Sequence, residues 1–213
     1  AAGLLIETWE NILADGYDEI IYLPMSSGLS GSCATSTGLA LDYDGKIQVA
    51  DNHRISVTLR HAVKDAAALA AQGLSAADIK ARLEENALRS VVYLAVNTLE
   101  YFRKSGRVTA SAAAIAAVLN LKPVLVTNGD KFDTFAKVRG MQNARVKLIE
   151  AAKAKLQGRF KDVPREKLAL DTAGSFETAE EEEAWRAQVQ EAFPEFTVNY
   201  CKLSCSIMCH TGM

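Results

Sequence analysis

No run of apolar residues in this sequence approaches the ~18 that a membrane-spanning helix requires, although 49% of its 213 residues are hydrophobic. The expectation is a soluble globular protein with a sizeable core and no integral membrane association. Nor is there a long basic block: 24 Lys and Arg face 26 Asp and Glu, for a net charge of −2 and a pI near 6.0. That balance gives a nucleic-acid partner little electrostatic support and favours a small or neutral ligand. A cationic leader with a cleavage motif is missing from the start of the chain, which points to a cytoplasmic location. Cysteine is scarce: Cys33, Cys201, Cys205 and Cys209 are unevenly spread and read as reduced thiols. Histidine is scarcer still, so His53, His61 and His210 are the only ordinary general bases near neutral pH. Internal repeats and low-complexity segments are absent as well.

What is present alternates. Leu5, Trp9, Ile12 and Leu13 recur at helical spacing until Gly16, a natural helix terminator. "DEIIYLPM" (18–25) reads as a buried strand, "SSGLSGS" (26–32) leads into a helix reaching about residue 42, and "KIQVAD" is a second strand. Residues 57–72 form an alanine-rich helix closed by Gly73, and Ser75 with Asp78 three positions on is a capping-box-like start for the next. Strand and helix in alternation predict a parallel sheet covered by helices, here a first domain over residues 1–90.

From about residue 90 the pattern changes. "SVVYLAVN" is a strand, "TLEYFRKSG" a short helix and residues 109–120 a second helix. "KPVLVTNGDKFDTFAKV" holds two β-like runs around Asn128-Gly129, the strongest short hairpin signal. A helix from Gly140 to about Gln157, a strand near "KLALDT", a helix from about Glu177 to Phe193 and strands through "FTVNYCKLSCSIM" complete a second α/β domain, residues 91–213, with a mixed or antiparallel sheet. The chain opens inside a helix and stops at "CHTGM", so it reads as part of a longer protein.

"SSGLSGS" is the stretch with chemical promise. A nucleophile elbow needs glycine two before and two after its serine, but here Gly28-Leu29-Ser30 is followed at once by Gly31. A P-loop needs a lysine, and none lies in this turn. There remains a polar turn at a helix N-terminus, where backbone N–H groups, the helix dipole and serine hydroxyls favour an anion such as a carboxylate. Simple helix capping by the same serines is the competing reading.

Other candidates are weaker. His61 lies in a helical pattern, His53 follows a strand end in "VADNHR", and His210 ends an apolar strand before a glycine turn. Cys201, Cys205, Cys209 and His210 have metal-ligand chemistry, yet residues four apart on a strand lie about 13 Å apart, too far for one ion. Buried cysteines acting as small hydrophobes account for them better, so no metal is expected. "RKSGR" (103–107) places Arg107 and two further cations around a glycine, as an anion contact or a helix end answering its dipole. "EEEE" (180–183) suits a first helical turn, and Arg139 in "KVRG" reads locally as a surface charge.

In order, "SSGLSGS", "VAD", "LEYFRKSGR", "LNLKPVL…NGDKF", "KVRG" and a late His-Thr-Gly resemble the DegV family of bacterial fatty-acid-binding proteins over nearly the whole chain. The resemblance implies a two-domain α/β fold, the first a parallel sheet between helices and the second a mixed or antiparallel sheet with helices. It also implies a non-catalytic protein without a cofactor. Such a protein holds one long-chain fatty acid by its carboxylate at the domain junction, with the tail buried, and presents it to a separate fatty acid kinase. Carried over residue by residue, Ser27 is the hydroxyl donor to the carboxylate, with Ser26 and Gly28 shaping the turn. Arg139 and His210 fall near the head group or the kinase-facing surface, and Arg107 at a partner-facing or anion contact. Ile115, Val118, Leu119 and Leu125 are candidates to line the tail. A sixteen-carbon tail at ~0.8 kcal/mol per buried CH₂ supplies ample gross affinity, which leaves the polar grip to fix orientation.

The sequence also departs from the family pattern. An upstream Thr-Ser-x-Pro-Ser segment has no match, and the usual "SGT" is Ser30-Gly31-Ser32. The Asp-Ser pair after the second strand is Asp51-Asn52, and Met213 follows His210-Thr211-Gly212 where proline is usual. Two alternatives stay open: a hydrolase or acyl transferase using Ser27 or Ser30 with His53 or His210, and a dihydroxyacetone-kinase-like binder that holds its substrate through histidine.

Overall fold

The computed structural model describes residues 2–115 and 121–212. The chain divides into two compact units, Ala1–Val91 with Asn128–Asp130, and Val92–Thr127 with Lys131–Met213.

The first unit runs α1 (Ala2–Ala14), β1 (Ile20–Tyr22), α2 (Ser32–Ala40), β2 (Ile47–Val49), α3 (Ser56–Ala71) and α4 (Ala76–Glu85). Strands β1 and β2 pair in parallel with Ile20 opposite Ile47 and Tyr22 opposite Val49. Side chains alternate across a strand, so β1 serves two cores. Ile20 and Tyr22 meet Trp9 of α1, which also stands edge-on to Tyr43. Ile21 and Leu23 meet Ala62, Ala66, Ile79 and Leu83 of α3 and α4. A strand apolar on both faces is what a parallel sheet between helices requires. Small alanines on α3 let that helix sit close to the sheet, and Ile79 is only 2% exposed. Helix α4 begins as expected: the Ser75 hydroxyl accepts from Asp78 N–H at 3.1 Å.

The second unit contains β3 (Val92–Ala95), α5 (Glu100–Ser105), α6 (Ala110–Ala113), β4 (Leu121–Thr127), β5 (Asp133–Arg139), α7 (Met141–Gln157), β6 (Asp171–Gly174), α8 (Ala179–Ala192), β7 (Asn199–Lys202) and α9 (Cys205–Thr211). Strands β3, β4 and β5 form an antiparallel sheet with β4 central, and β6 and β7 pair in parallel around α8. Val124 and Leu125 of β4 are fully buried, whereas Asp133, Phe135, Lys137 and Arg139 of β5 alternate outward. A second core joins Trp185, Val189, Phe193 and Phe196 to Leu148, Ile149 and Leu156 of α7. Trp185 satisfies its buried indole N–H on the Thr172 hydroxyl at 2.8 Å.

Three expectations need correction. The predicted hairpin pairs as expected, but Asn128-Gly129 is not a two-residue turn: the ladder opens after Val126–Asp133, and residues 128–130 pack in the first unit. The expected helix over 109–120 is, among the described residues, the short α6. The predicted strand through "SCSIM" is the helix α9, on which Ile207, Met208 and Thr211 turn inward at helical spacing.

Candidate functional site

The turn that carries "SSGLSGS" leaves the C-terminal end of β1, and the loop Asp51–Arg54 leaves the same end of the neighbouring β2. Parallel pairing therefore makes these two loops neighbours, at the edge where α/β sheets bind ligands.

Ser26 is fully buried and every polar group it carries is engaged. Its N–H donates to the Arg54 carbonyl at 3.0 Å, and its carbonyl accepts from Leu29 and Ser30 N–H at 3.0 Å each. Its hydroxyl donates to the Gly129 carbonyl and accepts from Gly28 N–H. A hydroxyl whose proton is so held shapes the turn rather than reaching outward. Gly28 is required by close approach: a Cβ there would lie 2.8 Å from the Asp130 Cα and 2.9 Å from the Gly129 oxygen. Gly129, at φ +122, leaves no room either, its Cβ position running into the His53 carbonyl oxygen.

Ser27 is the exposed serine of the turn. Its N–H donates to Asp51 Oδ1 at 3.2 Å, and His53 N–H donates to the same oxygen at 3.3 Å. The His53 Nε2 stands 3.6 Å from Asp51 Oδ2. Burial alone would raise the Asp51 pKa, but hydrogen bonds from the Ser27 hydroxyl and N–H and from His53 N–H outweigh it and hold the carboxyl below its ordinary value. The same neighbourhood raises the Cys33 thiol, through burial first and the Asp51 charge second. The open N–H groups expected of this helix start are thus partly spoken for: Ser27 by Asp51, Gly28 by Ser26 and Ser32 by the Ser30 hydroxyl at 3.2 Å. Asp51 is not among the site residues carried over from the family pattern, and its place after β2 is the signal that points to it.

The order Ser27, Asp51, His53 differs from a nucleophile arrangement, in which the imidazole stands between serine and carboxylate. Here the carboxylate is in the middle. Ser30 hydrogen-bonds to Ser32 at 3.1 Å rather than to a histidine.

The remaining expected residues belong to the second unit. Arg139 closes β5 with its side chain exposed, and its carbonyl accepts from the Asn143 amide at 2.7 Å. His210 sits in the last turn of α9, not at a strand end, with Nδ1 buried and unpartnered among the described residues. Arg107 bends back to the Ser105 carbonyl just after the left-handed Gly106. Leu125 is fully buried in β4 and Ile115 half-buried, while Val118 and Leu119 lie outside the described residues. Cys205 and Cys209 are exposed and share one helix, so neither the strand-spacing argument nor the reading as buried hydrophobes holds for them. Among the described residues no group of three or more His, Cys, Asp or Glu has a metal-holding arrangement. Among the same residues no helix is long and apolar enough to cross a membrane.

A family model described as "Uncharacterised protein, DegV family" matches residues 1–213. The chain belongs to the DegV family. A DegV domain-containing protein of Deinococcus radiodurans is 32% identical over 133 residues, covering 62% of this chain and 47% of that relative. One from Listeria monocytogenes is 27% identical over 215 residues, covering 100% of this chain and 73% of the relative. The chain thus spans about half the length of the Deinococcus relative. Among solved structures, the fatty acid binding DegV family protein of Streptococcus agalactiae superposes with a TM-score of 0.82 at 19% identity, over 100% of this chain and 73% of the other. A stearic acid-binding protein of Eubacterium ventriosum gives 0.83 at 19% identity with the same coverage. At such identities the likeness is one of fold: the two-domain α/β architecture is that of DegV proteins.

Proposed function

We propose that this DegV protein binds one long-chain fatty acid, holds its carboxylate at the Ser27 turn and presents it to a separate kinase without doing chemistry itself. The observation that carries the reading is Asp51: in this molecule the Ser27 turn already holds a carboxylate, so its donors have the spacing and polarity that such a group needs. Two neighbours in fold are named for the fatty acids they bind, and aliphatic side chains such as Leu125 suit an acyl tail. Arg139 and His210 are assigned to the head group or the kinase-facing surface, and Arg107 to an anion contact. The serine–aspartate contact supports a binding role over a hydrolytic one, since the Ser27 hydroxyl donates to a carboxylate rather than to an imidazole base.

Native mass spectrometry of the full-length protein, followed by lipid extraction, tests this directly. One bound acyl chain is expected. Ser27→Ala should weaken oleate binding by roughly tenfold to a hundredfold, the loss of one hydrogen bond to a charged group. A protein that carries no acyl chain and takes up neither palmitate nor oleate would refute the reading.

A further inference from the structure

The carboxylate grip has an occupant of its own. Asp51 accepts from Ser27 N–H and His53 N–H on one oxygen, with the His53 imidazole beside the other. The backbone of the loop that bears it is held on both sides. Asn52 is fully buried with its Oδ1 accepting from Arg54 N–H at 2.9 Å, and His53 is held at φ +50 against Gly129. With that backbone and these hydrogen bonds in place, an acyl carboxylate that reaches Ser27 sits beside Asp51.

The surroundings make two ionised carboxylates there costly. From α4, Glu84 Oε1 accepts from the Asp51 N–H at 3.1 Å, with Lys80 4.0 Å from that oxygen. From the loop at 128–130, Asp130 lies against Gly28, and from the start of α2 the Cys33 thiol faces the same charges. Arg54 is turned away, towards Asp65 at 3.9 Å and the Asn86 carbonyl at 3.3 Å. Asp51 thus has a second carboxylate, that of Glu84, on its own backbone N–H, and Lys80 lies on the Glu84 oxygen rather than on Asp51. Two carboxylates sharing one set of donors cannot both stay ionised, and one proton between them relieves the repulsion and adds a hydrogen bond.

We propose that Asp51 makes fatty-acid binding proton-coupled: the bound acyl carboxylate and Asp51 share one proton taken up from solvent. The proposal rests on the fatty-acid reading above. Its sign follows from linkage. The complex holds one proton more than the separate partners, so affinity falls by about tenfold per pH unit while both free carboxylates are ionised and the pair in the complex is still protonated.

Calorimetric titration of the full-length protein with oleate, in two buffers of different ionisation enthalpy, counts the protons. Uptake of about one proton is expected, with affinity falling as pH rises. Asp51→Asn, which keeps an acceptor for Ser27, should abolish both effects and tighten binding at alkaline pH, whereas His53→Asn should retain the uptake. No uptake and a flat pH profile in the unaltered protein would overturn the proposal, as would uptake that survives Asp51→Asn. If that variant fails to fold, the proton count on the unaltered protein decides alone. Failure to bind oleate at any pH would overturn the fatty-acid reading itself, which separates the two failures.

Discussion

Gly28 and Gly31 lie three residues apart in one turn, and alanine at the two should have very different effects. At Gly31, φ −71 and open space around the Cβ position mean that alanine fits. The gain from a stiffer unfolded chain offsets the poorer capping, for a net change within about 0.5 kcal/mol. At Gly28 the new methyl would meet the Asp130 Cα at 2.8 Å and the Gly129 oxygen at 2.9 Å, both backbone atoms that cannot rotate away. Moving them would break the hydrogen bond from Ser26 to Gly129 and leave a buried hydroxyl poorly satisfied. Overpacking at ~1–3 kcal/mol and a lost buried hydrogen bond at ~1–3 kcal/mol, partly overlapping, give about 2–4 kcal/mol. Each unit has one tryptophan core, Trp9 in the first and Trp185 in the second. Urea unfolding followed by Trp9 fluorescence in a Trp185→Phe background therefore reports the first unit. A urea slope of ~2 kcal/mol per M converts the loss to a midpoint about 1–2 M lower for Gly28→Ala. Equal midpoints for the two variants would refute the close approach of residues 128–130 to this turn.

Other outcomes follow from burial and charge. The exposed thiols of Cys205 and Cys209 should react with a disulfide reagent first, and Cys33, buried with a raised pKa, last; early modification of Cys33 would contradict its place on the buried face of α2. Asp51 has a folded-state pKa below its unfolded one, so it contributes stability above the unfolded value that is lost as pH falls through the folded value. Acid unfolding of Asp51→Asn should accordingly show a shallower pH dependence below about pH 4, and an unchanged slope would count against the contact with Ser27.

Local signals in the sequence carried much of the fold. Gly16, Gly73 and Gly106 all adopt positive φ at helix ends, and Ser75 caps α4, because such features depend on a few neighbouring residues. Where tertiary contact decides, local reading fails. Asn128-Gly129 has the composition of a tight hairpin, yet Gly129 is needed for its approach to His53, so the turn widens. The segment after β7 has apolar and sulfur-containing residues that suit either period, and a run that short does not separate strand from helix. Its outcome moves His210 from a strand end to the last turn of α9.

For the candidate site, the sequence narrows the chemistry of one turn and leaves its neighbours out. Glycine spacing and the missing lysine remove the nucleophile elbow and the P-loop and leave an anion-friendly turn or a simple helix cap. That it holds Asp51 depends on a pairing between residues 24 positions apart. The route to it was nevertheless in the element order. Two strands that lie side by side in parallel must release their following loops on the same edge, so whatever acid follows β2 faces whatever donors follow β1. With "SSGLSGS" after one and "ADNH" after the other, the acid is Asp51 and the donors are those of Ser27. On the reading proposed above, a turn that receives an external anion at this edge must also manage the internal one, which would make its affinity a matter of proton balance as much as of acyl length.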